Sequence, residues 1–178
     1  HTLYFAYLDE HYHSLNGAAQ ESNHVFIEAG LMQCKKDSSS ILEVGFGTGL
    51  NVFLTFQHVH DKRIDYTAIE LYPLEWDIVK KLNYTDNVNT NLKDFFEDIH
   101  KAEWNKQVLI SPNFSLTKLK ADFKLLDIDF QQKFDLIYYD AFAPDKQPDM
   151  WTQEIFDYLY KSTTDNGILT TYCAKGVV

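Results

Sequence analysis

An α/β fold built on a doubly wound, mostly parallel sheet is what this 178-residue sequence predicts. Three observations carry the prediction. Short apolar runs of strand type, "ILEV", "IDYTAIEL" and "FDLIYY", recur along the chain. Stretches between them space their apolar residues as a helix does. The runs also give way to a glycine turn or to an acid, which is where such sheets put their ligands.

Taken in order, residues 1–39 read as a lead-in or lid, with "KKDSSS" (35–40) as its linker-like end, and 40–178 as the ligand-binding domain. "ILEV" (41–44) is the first strand, "GFGTG" the turn and "LNVFLTFQHVH" (50–60) the first helix. A strand follows over 64–71 and a helix over 73–84, opened by Pro73, whose missing N–H costs nothing in a first turn. Residues 91–104 form an amphipathic helix, and 107–122 two short strands around Ser111-Pro112-Asn113. A weak helix over 123–132 precedes "FDLIYY" (134–139), nearly continuously apolar as a strand buried on both faces is. A helix over 151–163 and a last strand over 166–173 complete the pattern.

The bulk numbers set limits. With 45% hydrophobic and 15% aromatic residues there is material for the core of one domain. No run of eighteen apolar residues and no signal peptide is present, so a cytoplasmic protein with no membrane association is expected. A net charge of −10 argues against a general nucleic-acid binder, though not against an enzyme that touches RNA over a small patch. Cys34 and Cys173 read as reduced thiols. His11 and His13 in "EHYH" come without a metal-binding companion motif, so no metal is expected. The start at His1 and the end in "AKGVV", in the middle of a pattern, read as a fragment of a longer polypeptide.

The residues past each strand carry the chemistry. In "EVGFGTGLN", Glu43 to Asn51, the glycines Gly45, Gly47 and Gly49 let backbone approach a ligand closely. A dinucleotide fingerprint would need glycine at Leu50, so a nucleoside without a pyrophosphate, S-adenosylmethionine above all, is the expected ligand. Glu70 ends the second strand about where an acid accepts from ribose hydroxyls, and Asp122 with Phe123 is placed to meet an adenine. Asp140 follows a fully buried strand, where an unpaired carboxylate is costly. Pro144 and Pro148 stiffen the loop behind it. Each acid has an ordinary reading too: Glu70 as a solvated strand end, Asp140 as a cap to nearby N–H groups. Phe142, Trp151 and Tyr172 are candidates for stacking on a base.

With those motifs on the page, the chain resembles the MnmC-type methyltransferases, which complete 5-methylaminomethyl-2-thiouridine at the tRNA wobble position. The resemblance runs from about Tyr12 to the end through "NHVFIEAGL", "EVGFGTGLN", "DAFAPDKQPDMWT" and "GILTTYCAKGVV". It implies a Rossmann-like class I methyltransferase in which Glu43, the glycines, Asn51, Glu70, Asp122 and Phe123 hold S-adenosylmethionine. Asp140 would then stand beside the methyl acceptor. Phe142, Pro144, Trp151 and Tyr172 are read around the substrate, and Tyr12, Ser14 and Glu21 either as part of a lid or as ordinary packing against the first strand. It also implies tRNA as partner, engaged at its anticodon loop, and a flavin-dependent oxidase, fused or separate, that supplies the amine. Family members continue past "AKGVV" with a basic helix and a pair of strands. Two other readings stay open on the same fold: a polyamine aminopropyltransferase, and a non-catalytic module that binds RNA or protein.

Overall fold

The structure is a computed structural model that describes residues 4–5, 10–11, 15–59, 61–125 and 128–173. A two-stranded antiparallel pair, β1 (Tyr4–Phe5) and β2 (Glu10–His11), comes first. Helix α1 (Leu15–Ser22) runs on into a wide-turn segment, Asn23–Glu28, and then a tight turn, Leu31–Gln33. Phe26, Ile27 and Leu31 from these turns are buried in the main core, so the lead-in packs as part of the same body.

The main sheet has six strands: β3 (Ser38–Val44), β4 (Arg63–Glu70), β5 (Gln107–Ser111), β6 (Phe114–Lys120), β7 (Phe134–Tyr139) and β8 (Thr163–Thr170). Their order is β5-β6-β4-β3-β7-β8, all parallel except the β5–β6 hairpin at one edge. From β3 the chain winds outward first through β4 and later through β7. The chain therefore leaves the adjacent carboxyl ends of β3 and β7 in different directions, and a crevice opens above those ends.

Helices α2 (Leu50–His58), α3 (Trp76–Val79), α4 (Thr90–Lys101) and α5 (Gln153–Ser162) cover the sheet. Strand alternation feeds two cores. Leu136 and Tyr138 of β7 pack with α2 and α4, while Ile137 and Tyr139 pack with α5. Every residue of β7 is buried, Asp135 included, as its nearly continuous apolar run predicts.

Four expectations are corrected. The serine run read as a linker is the start of β3, where Cys34 Sγ lies 3.3 Å from Ser39 Oγ and the Ser40 N–H donates to Asp135. The helix over 73–84 shrinks to α3, because past Val79 the backbone bonds tighten into three-residue turns, Lys81 N–H to the Ile78 carbonyl and Leu82 N–H to that of Val79. Where a helix was expected over 123–132, the described residues form no α-helix and include a tight turn at Phe123–Leu125. The last strand begins earlier than read: Asn166, at φ 61°, sits in a register shift inside β8 rather than in a turn before it.

Candidate active site

The crevice holds a cavity of about 280 Å³. Its wall includes Gly45 and Gly47 from the turn after β3, Asn51 from the first turn of α2, Glu70 at the end of β4, Asp122 and Phe123 after β6, Asp140 and Phe142 after β7, Glu21 from α1, and Tyr172. Sequence reasoning named all of these. Glu43, Gly49, Pro144 and Trp151 lie off the wall, and Tyr12 and Ser14 fall outside the described residues.

The three glycines do different work. Gly45 takes φ +99°, and a Cβ there would lie 2.7 Å from the Asp140 carbonyl oxygen. It lets the ends of β3 and β7 touch. Gly49 takes φ +71° at the start of α2, where a Cβ would meet His100 Nε2 at 2.8 Å. Only Gly47 works mainly on the cavity side, its N–H donating to Glu70 Oε2 at 2.9 Å. Two of the three close approaches are thus to the protein itself, a correction to the expectation that all three serve a ligand.

Glu70 accepts a second backbone bond on Oε1 from the Tyr72 N–H, at 2.8 Å. Its carboxylate is fixed in place and keeps lone pairs for hydroxyl donors. Asp122 accepts from the Lys124 N–H at 3.0 Å, and Phe123 is buried edge-on against Tyr158.

The acids deepest in the site share one amide. Asn51 Nδ2 donates to Glu43 Oε1 and to Asp140 Oδ2, each at 2.9 Å. Glu43 is fully buried, and its Oε2 has no partner among the described residues. Burial first, then the charge of Asp140, pushes its carboxyl well above the usual range. Burial also pushes the Asp140 carboxyl up to about 7, with the Asn51 hydrogen bond pulling back and the charge of Glu21 adding to the rise. Glu43 sits inside β3, as the strand "ILEV" has it, and its carboxyl lies against Asn51 and off the cavity wall.

The loop after Asp140 is braced. The Trp151 indole N–H donates to the Phe142 carbonyl at 2.7 Å, and its ring packs against Tyr139 with centroids 5.1 Å apart. The Tyr172 hydroxyl donates to the Ala141 carbonyl at 2.8 Å. Trp151 therefore serves the rim as a brace and not as a stacking surface.

Residues that sequence reasoning passed over complete the site. Thr48 and Tyr84 meet at 3.1 Å on the cavity wall. Behind the glycine turn, His100 is sunk among Phe46, Phe96 and Trp76, and burial and the charge of Lys118 lower its pKa to about 4. Lys118 is itself buried, donates to the His100 carbonyl at 2.9 Å and stands 4.6 Å from the Trp104 ring centre. A signal existed: Phe114, Leu116 and Lys118 alternate along β6, and the first two are core.

The chemistry of the wall decides what fits. Among the described residues it carries Glu21, Glu70, Asp122 and Asp140 but no lysine, arginine or histidine. That suits a cation such as a sulfonium or an ammonium and repels phosphate. The strand-end carboxylates of Glu70 and Asp122 face the cavity as acceptors for hydroxyl or amino donors. Among the described residues no group of three or more His, Cys, Asp or Glu could hold a metal ion, and no helix is long and apolar enough to cross a membrane.

Comparison with known proteins gives the following. A family profile described as S-adenosyl-L-methionine-dependent methyltransferase matches residues 83–178. Among curated proteins, the tRNA 5-methylaminomethyl-2-thiouridine biosynthesis bifunctional protein MnmC of Methylobacillus flagellatus is 26% identical, over 98% of this chain and 29% of its own length. That of Campylobacter fetus is 28% identical, over 99% of this chain and 30% of its own. The chain thus spans less than a third of the length of these relatives. Among solved structures, MNMC2 from Aquifex aeolicus has a TM-score of 0.74 at 22% identity, covering 97% of this chain and 56% of that one. Coclaurine N-methyltransferase bound to N-methylheliamine and SAH has a TM-score of 0.50 at 14% identity, covering 94% of this chain and 38% of that one. These last two establish likeness of fold.

Proposed function

This chain belongs to the S-adenosyl-L-methionine-dependent methyltransferase family, and from that premise we propose that it methylates 5-aminomethyl-2-thiouridine to 5-methylaminomethyl-2-thiouridine at the tRNA wobble position. The names of the curated relatives support the nucleoside. One observation carries the reading: Asp140 stands on the cavity wall past a wholly buried strand, held by a single Asn51 N–H and tuned to about 7.

Bound S-adenosylmethionine would supply an electrophilic methyl group. Glu70, Asp122, Phe123 and the turn at Gly45 and Gly47 would hold it. The acceptor arrives as an alkylammonium with a pKa of about 10 and has no lone pair until it loses a proton. Asp140 is the group placed to take that proton and to orient the nitrogen. An ordinary aspartate, near 4, would face a gap of about six units. At about 7 the gap is roughly three units, easing the transfer by up to about 4 kcal/mol. The rim of Phe142 and Tyr172 would receive the base, swung out of an anticodon loop where unstacking is inexpensive. An oxidase, on the same polypeptide or apart, would prepare the amine.

The decisive experiment supplies labelled methyl donor and tRNA from cells that lack this modification, then identifies the labelled nucleoside. Label in 5-methylaminomethyl-2-thiouridine is expected; label elsewhere, or none despite donor binding by calorimetry, overturns the reading. One observation favours a second reading: four carboxylates on the wall also suit a polyamine receiving an aminopropyl group. Putrescine with the decarboxylated donor is the discriminating pair, and turnover there but not on tRNA would select it.

A further inference from the structure

We propose that Glu43 is a positioning residue that keeps its proton at working pH and acts on Asp140 through Asn51, so that the two buried acids carry one negative charge between them and that charge sits on Asp140. The proposal rests on the reading of Asp140 as the proton acceptor. Its grounds are geometric. The Glu43 side chain is wholly removed from water, receives one N–H bond from Asn51, faces the Tyr66 hydroxyl as a second donor, and has one oxygen outside hydrogen-bonding geometry. One amide N–H and one facing hydroxyl, with no cation, do not compensate the lost hydration of an ionised carboxylate in such a place. Asp140 accepts from the other hydrogen of the same amide nitrogen, so two full charges would stand on either side of one NH2 group.

The surroundings decide which acid gives up its proton. Facing Glu43 are Tyr66 from β4, Glu70 past the end of β4, Asp140 past β7 and, further off, Tyr138 of β7. Asp140 is faced also by Glu21 of α1. None of these is a cation. Asp140 borders the cavity, where water or an incoming ammonium can reach it, whereas Glu43 borders only side chains. The deeper acid therefore holds the proton and the outer one ionises. Neutral Glu43 still accepts from Asn51 on Oε1, which fixes the amide, and the amide fixes Asp140 Oδ2. In this arrangement Asn51 always presents an N–H to Asp140 and never its oxygen.

The test begins with the unaltered protein. With 13C-labelled glutamate carboxyls, one resonance should stay at the protonated position through neutral pH and vanish in Glu43→Gln; a Glu43 line titrating below pH 6 overturns the proposal. In turnover on tRNA, Glu43→Ala should cut kcat by about 100-fold with the Kd of the methyl donor changed less than threefold. Glu43→Gln, which keeps the acceptor oxygen, should restore most of that loss with the acid limb of the pH profile in place. A donor Kd raised tenfold in Glu43→Gln would make Glu43 a ligand contact instead, and an acid limb displaced to lower pH would mean that Glu43 is ionised. Failure of the tRNA reaction with the resonance intact would sink the proposed function and leave the proton on Glu43 standing.

Discussion

Strand β7 carries an aspartate near each end, and the two could hardly be housed more differently. Asp135, at the amino end, accepts from Lys36 Nζ, from the Thr164 hydroxyl at 2.9 Å and from the Ser40 N–H at 3.0 Å. Burial alone would raise its carboxyl, but these bonds and the Lys36 charge together hold it below the usual range. Asp140, at the carboxyl end, has one amide N–H, two acids nearby and a cavity in front of it. The first ties the lead-in, β3 and β8 to β7; the second is kept short of partners. A buried charge that is fully satisfied belongs to the fold, and one left wanting at an opening is available for chemistry.

The comparison can be broken most sharply at Asp140. Asp140→Asn keeps the shape and removes the proton acceptor, so kcat on tRNA should fall by about 10²–10⁴-fold while calorimetry still registers the methyl donor. Equal turnover would erase the distinction between the two aspartates. Next in size is Gly45→Ala, whose methyl group would press on the Asp140 carbonyl from a left-handed backbone. Urea denaturation should record a loss of about 2–3 kcal/mol, with turnover falling alongside. Asp135→Asn should cost about 2 kcal/mol at pH 8 by removing the Lys36 pairing and weakening two hydrogen bonds, with donor affinity untouched.

The smallest effect is the most diagnostic, because the two sites should respond to pH with opposite signs. Asp135 has a depressed folded-state value, so its contribution is present above the unfolded value of about 4 and is lost as pH falls through the folded one. Asp140 is raised to about 7, so the folded protein retains a proton that the unfolded chain has released, and stability declines as pH climbs from about 4 to about 7. In acid, Asp140→Asn should therefore match the parent. By pH 8 it should be more stable by about 1 kcal/mol, discounted for water entering through the cavity. Melting curves at pH 4, 6 and 8 check both signs.

How much of this the sequence disclosed depended on range. Strand β7 was legible to the residue because a run apolar at every position but Asp135 leaves few alternatives, and Asp140 stood out as the acid that ends it. The bounds of β8 were not: Asn166-Gly167 is a turn signal, yet here it bends a strand that continues through it. The serines of β3 look like linker in composition and become strand through partners far along the chain, Asp135 among them. The shared amide was out of reach for the same reason, since Asn51 and Asp140 lie 89 positions apart. Glu43 was recognised as part of a motif, but only the fold reveals that it points away from the opening. Helix α4 was expected, whereas the seating of His100 under Gly49 needed three dimensions.

The doubly committed amide of Asn51 also constrains how this sequence can change. Turning the carboxamide over would set its oxygen against two acids, and aspartate at 51 would crowd three carboxyls into one dry space. Viable routes away from the present triad must therefore alter position 43 or 140 before position 51. A mutagenesis library that varies 51 alone would return mostly dead clones, while paired libraries would find survivors.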